Sequence, residues 1–135
     1  MGHSRQTTVR KLAIQLLYQF ESDALPDLEA QAMLYLESSE SEKRTQALSL
    51  PLALDAWAYK HTSDTAIQRH AINWNLDRLN RIDHAIMRLA IYEIDVLKKP
   101  VQIIIDEAVG LAKKFSGEEA YKFVNGILGG YVRHV

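Results

Sequence analysis

The stretch Leu79–Lys98, LNRIDHAIMRLAIYEIDVLK, decides the fold. Ile82, Ile86, Leu89, Glu93 and Val96 recur at helical spacing along one side of it. Ala85, Ala90, Tyr92, Ile94 and Leu97 carry the apolar surface most of the way round. A helix that is apolar on most sides is buried in a core. At helical rise the stretch spans roughly 30 Å, about the diameter of a small domain. The spacing therefore predicts a central helix with the others packed around it. Arg81 and Asp83 sit in its first turn, and Lys98-Lys99 close its end in the order the helix dipole favours, with Pro100 as a stop. Glu93 falls inside the apolar stripe, so its carboxylate must be paired or neutralised; a structural, hydrogen-bonded role is expected.

Working outward, residues 4–20 carry Val9, Leu12, Ala13, Leu16, Leu17 and Phe20 as one stripe, with Ser4, Thr7 or Thr8 as candidate caps. Lys11 and Tyr18 fall opposite that stripe, flanked by Arg10 and Ile14. A loop is expected over 21–26, a short helix from an Asp27 cap to Leu36, and a polar loop over 37–42. Lys43–His61 is helical by composition, but Pro51 lies inside it. A break or kink there, with the main helix over 51–61, is expected. Ser63 or Asp64 then caps a short helix ending near Ile72 or Asn73, and Trp74-Asn75-Leu76 is a turn. Val101–Ile105 reads locally as a strand, yet Ile104, Ile105, Ala108, Val109, Ala112 and Phe115 make a continuous helical stripe, and a lone strand has nothing to pair with. Ser116-Gly117-Glu118-Glu119 matches a capping box opening the last helix. The fold class is all-α, a helical bundle.

The 135 residues suit one domain, and 47% hydrophobic with 24% charged residues is ordinary for a soluble globular chain. A net charge of −1 gives no global bias toward nucleic acid, so any such site needs local segregation of charge. The absence of cysteine excludes disulfides and thiol chemistry. No apolar run approaches the roughly 18 residues of a membrane span, and no secretory signal is visible, so a cytoplasmic protein is expected.

The five histidines show no paired metal spacing. Asp106-Glu107 and Glu118-Glu119 point apart on a helix and do not converge as catalytic dyads; Glu107 is expected on the solvated surface near Lys114. No phosphate-cradling glycine loop or nucleophile elbow is present. These features point to a protein that is not an enzyme and needs no cofactor. The positive lead is a basic, aromatic-bearing surface. Arg5, Arg10, Lys11 and Tyr18 come from the first helix, Lys113 and Lys114 from the helix before the last loop, and Lys122 and Phe123 from the last helix. Cations beside partly exposed rings suit single-stranded nucleic acid, through phosphate neutralisation and base stacking.

These same residues carry a resemblance. RKLAIQLLY (10–18), DHAIMRLAIYE (83–93), DEAVGLAK (106–113) and KFVNGIL (122–128) resemble the corresponding helices of the NusB family of bacterial antitermination factors. The resemblance covers essentially the whole chain, though 21–72 match only in pattern. It implies a single NusB-like domain over 1–135, built of about seven helices in two packed sub-bundles, about 4–73 and 74–135. It implies binding of boxA-type single-stranded RNA, a heterodimer with the ribosomal protein NusE, and work on RNA polymerase alongside NusA and NusG, notably on ribosomal RNA operons. Some members form homodimers. By position it implies RNA contacts at Arg10, Tyr18, Lys122, Phe123 and Glu119, and NusE contacts at Asp77 and Asp83. The chain departs from the family pattern where Gln6-Thr7-Thr8 replace much of an arginine cluster and where His84 replaces a common Arg or Lys. A helical protein-interaction module, or the accessory domain of an RNA cytosine methyltransferase, are the rival readings.

Overall fold

The computed structural model describes residues 5–23, 25–72, 76 and 79–133. Among them the secondary structure is helical throughout: α1 (Arg5–Asp23), α2 (Leu28–Ser38), α3 (Lys43–Ala58), α4 (Lys60–His70), α5 (Arg81–Asp95), α6 (Val101–Phe115) and α7 (Glu118–Arg133). The expected turn at Trp74-Asn75 and the Asp77 position lie outside the described residues.

Helix α5 is the centre of the bundle. Every residue from Asp83 to Ile94 is buried, and the helix packs on α1, α3, α4, α6 and α7. Asn80 caps it, accepting the N–H groups of Ile82 and Asp83. The helix ends at Asp95, before the anticipated Lys98. Lys98 turns into the left-handed region (φ 55°), and the Lys99 N–H reaches back to the Glu93 carbonyl, closing the C-terminus. Pro100 therefore begins the next element: it is the N-cap of α6, with its missing N–H at a position that needs none.

Three local expectations are corrected. Helix α3 runs unbroken through Pro51. Pro51 and Ala47 are both exposed, so water can serve the Ala47 carbonyl that lacks a donor. Helix α4 starts at Lys60, with only Tyr59 between it and the end of α3, which places Ser63 and Asp64 inside it and not at its cap. Ser116 does not cap α7: it terminates α6, and its hydroxyl donates to Asp83 Oδ1 at 2.9 Å. Gly117, at φ 106°, makes the reversal between the two helices, a conformation closed to most side chains.

Two polar clusters pin the helices together. Glu93, 1% exposed, receives both Arg10 Nε (3.0 and 3.2 Å) and Lys99 Nζ (2.7 Å), and Arg10 Nη1 lies 3.4 Å from Glu107. Thr7 Oγ1 donates to Glu107 at 2.8 Å, so this cluster ties α1 to both α5 and α6. Glu107 is accordingly a structural acceptor and not the solvated group the sequence suggested. In the second cluster Arg88 grips Asp64 bidentately (2.9 and 2.7 Å), His84 Nε2 stands 2.6 Å from Asp64, and Arg88 also pairs with Glu21 at 3.4 Å. Burial pushes the Asp64 carboxyl up. The hydrogen bonds and charges of Arg88 and His84 outweigh it and hold the group well below the usual carboxylate range.

Candidate nucleic-acid interface

Helix α1 buries Val9, Leu12, Ala13, Leu16, Leu17 and Phe20 and presents Lys11, Gln15, Tyr18 and Ser22 on its outer side, at helical spacing. Lys11 leans over the Phe115 ring at the end of α6, with Nζ 5.9 Å from its centroid. Lys11 and Lys114 line one hollow of about 290 Å³ with Thr7, Thr8, Glu107 and Gly110. Two ammonium groups around one hollow form an anion-accepting surface, with Glu107 partly offsetting it. Across the α6–α7 reversal, Lys113 Nζ lies 5.4 Å from the Tyr121 ring and 3.6 Å from Glu118.

On α7, Lys122 and Glu119 are exposed. Phe123 is partly buried against the core, so only part of its ring is available for stacking. Tyr18 is 40% exposed and stands in a groove between α1 and α2. Arg5 is elsewhere. It lines a separate cleft of about 530 Å³ with Arg44, Lys99 and Leu48, and makes a loose exposed contact with Glu42 at 3.9 Å.

Two anticipated surface groups are buried. Arg10 is 4% exposed and held by Glu93, so it is structural and turns no guanidinium to a phosphate. The sequence placed Arg10 and Ile14 at the flank of the exposed face; α5 and α6 cover both. Asp83 is 6% exposed and covered by Ser116. Burial raises its carboxyl pKa, and the Ser116 hydrogen bond only partly opposes this. Sequence reasoning missed Tyr121, Tyr35 and Arg44, because each joins its cluster through tertiary packing and not through any spacing along the chain. Among the described residues, no group of three His, Asp or Glu side chains is placed to hold a metal ion, and no helix is long and apolar enough to cross a membrane.

The architecture and surface define a class: an all-helical domain built on one buried helix, with cations and partly exposed rings gathered from α1, α6 and α7. Residues 7–133 match the model of the NusB family, and the chain belongs to that family. It is 39% identical to the transcription antitermination protein NusB of Bacillus licheniformis, over 92% of this chain and 93% of that one. The solved T. maritima NusB superposes with a TM-score of 0.82 at 30% identity, covering 98% of this chain and 93% of the other. A structure described as antitermination factors NusB and NusE in complex with dsRNA shares the fold at TM-score 0.82 and 24% identity, covering 97% and 98% of the two chains.

Proposed function

We propose that this chain is a non-catalytic transcription antitermination factor. It binds boxA-type single-stranded RNA together with NusE and promotes read-through by RNA polymerase on ribosomal RNA operons. The observation that carries the reading is the shared hollow of Lys11 and Lys114, with the Lys113 ammonium beside the Tyr121 ring across the α6–α7 reversal. Family membership supports it, as does the solved complex of a protein of the same fold with NusE and dsRNA.

Phosphates fall to Lys11, Lys113, Lys114 and Lys122, with Arg5 at the far end of α1. Tyr18 contacts bases, and Phe123 does so through the part of its ring that the core leaves exposed, with Glu119 one turn before it on α7. Arg10 leaves the contact set and acts as the internal counter-charge of Glu93. Asp83 positions the α6–α7 reversal through Ser116 and does not itself touch a partner, while Asp77 remains the proposed NusE contact. Assembly with NusA and NusG, a cytoplasmic location, homodimer formation and the division into sub-bundles about 4–73 and 74–135 belong to the same proposal.

The test is an electrophoretic shift with boxA RNA, with NusE and with both. The reading requires a ternary complex that forms more tightly than either pair. NusE binding that RNA does not strengthen contradicts it and makes the chain a protein-interaction module.

A further inference from the structure

The groove between α1 and α2, about 680 Å³, is lined by Gln15, Tyr18, Gln19, Leu34, Tyr35 and Ile82 among others, and its one charged lining residue is Asp23. Its width is fixed from below. The Gln31 amide accepts the Leu25 N–H at 3.0 Å and donates to the Asp23 carbonyl at 2.8 Å, and Asp27 caps α2. Apolar side chains nevertheless face water at its rim: Leu34 is 69% and Leu25 48% exposed, beside the open Tyr18 ring. Inside, the Tyr35 hydroxyl donates to Gln15 Oε1 over 3.3 Å, and Gln19 Oε1 is buried with no donor.

We infer that this groove is a subsite for a single unstacked nucleobase. The inference rests on the RNA-binding reading above. Rings, neutral amides, hydroxyls and leucines suit a flat, uncharged ring with its own donors and acceptors. They do not suit a phosphate, which would meet Asp23 and no cation inside the groove. The cations lie just outside: Lys11 is one turn before Gln15 on α1, and Arg81 stands at the far end with Nη1 donating to Ser22 Oγ at 3.1 Å. The sugar-phosphate chain thus runs along the rim while one base turns in between Tyr18 and Tyr35.

The test is a coupling measurement with NusE present, using boxA RNA and a set of boxA RNAs each carrying one abasic position. Leu34→Glu places a charge at the groove rim on a side chain that supports no core, and circular dichroism checks its fold. At one nucleotide position, removing the base weakens wild-type binding by about tenfold, within the range of a stacked base. In Leu34→Glu, which binds intact RNA about tenfold more weakly, removing that same base changes affinity less than twofold. Abasic effects that are equal in wild type and Leu34→Glu at every position overturn the inference and leave the RNA reading standing. Loss of NusE binding in Leu34→Glu with RNA affinity intact also overturns it and makes the groove a protein site. A wild type that binds no RNA with NusE present overturns the RNA reading itself, and this inference with it.

Discussion

Replacing Arg10 by Ala should be the most damaging change to a side chain that looks, in the sequence, like a surface cation. The substitution leaves Glu93 1% exposed with Lys99 as its one remaining cation. Removing one partner of a buried ion pair destabilises by about 3–5 kcal/mol, because the other charge stays buried. The Lys99 side chain is 34% exposed and still reaches Glu93 at 2.7 Å, which places the effect at the low end, about 3 kcal/mol. For 135 residues the unfolding entropy is about 0.28 kcal/mol/K, so the melting temperature should fall by about 10 °C. The paired replacement Arg10→Met with Glu93→Leu removes both charges at similar volume. It should lie within about 1 kcal/mol of wild type, since buried pairs are often dispensable once both members go. Thermal and urea unfolding followed by circular dichroism measure both variants. Arg10→Ala melting within 2–3 °C of wild type, a shift of less than about 1 kcal/mol, would refute the counter-charge role. So would a double variant as unstable as the single one. The double variant should also keep wild-type affinity for RNA, since Arg10 does not reach the surface.

Three further outcomes follow from the packing. The Asp64 carboxyl is held below its unfolded value of 3.8, so its ionised form stabilises the fold in full above about pH 5 and that stability drains away as pH falls below 4. Asp64→Asn should therefore be destabilised at pH 7, with the gap from wild type narrowing in acid; a constant gap from pH 7 to pH 3 would contradict this. Asp83 has the opposite sign. Its pKa is raised, so the neutral form is favoured on folding and the ionised form weakens the fold as pH rises through the folded pKa. Asp83→Asn should raise the melting temperature at pH 7 and lose that advantage below about pH 4, and a lower melting temperature at pH 7 would count against the assignment. In α7, Gly126→Ala meets nothing within 4 Å and should stabilise by about 0.5–1 kcal/mol through helix propensity. Gly130→Ala places a Cβ 3.1 Å from His70 Nδ1 and should be neutral or destabilising, so equal stabilisation of both variants would refute the packing of α4 on α7.

The sequence carried the central helix because its apolar surface has no solvent face, and a helix apolar on nearly all sides has few places to go. It carried the Asp27 cap and the α6 stripe for equally local reasons. The corrected elements are those in which tertiary partners overrode a local signal. Pro51 reads as a break, but its solvent side lets α3 continue. Ser116 reads as a cap, but its hydroxyl is taken by Asp83. Arg10 reads as a surface cation because the sequence does not reveal that Glu93, 83 positions away, waits inside the core. The same limit governs the candidate interface. The lysines of α1 and α6 were visible as residues, while their convergence on one hollow depends on how α1 lies beside α6.

The central claim, that RNA phosphates sit at the hollow between α1 and α6, is tested most directly by the salt dependence of boxA RNA binding with NusE present. The comparison is between wild type and the double variant Lys11→Gln with Lys114→Gln. Each phosphate contact on single-stranded nucleic acid contributes about 0.7 to the slope of log affinity against log salt. The double-variant slope should be shallower by about 1.4, with unchanged thermal stability. A slope identical to wild type would contradict it.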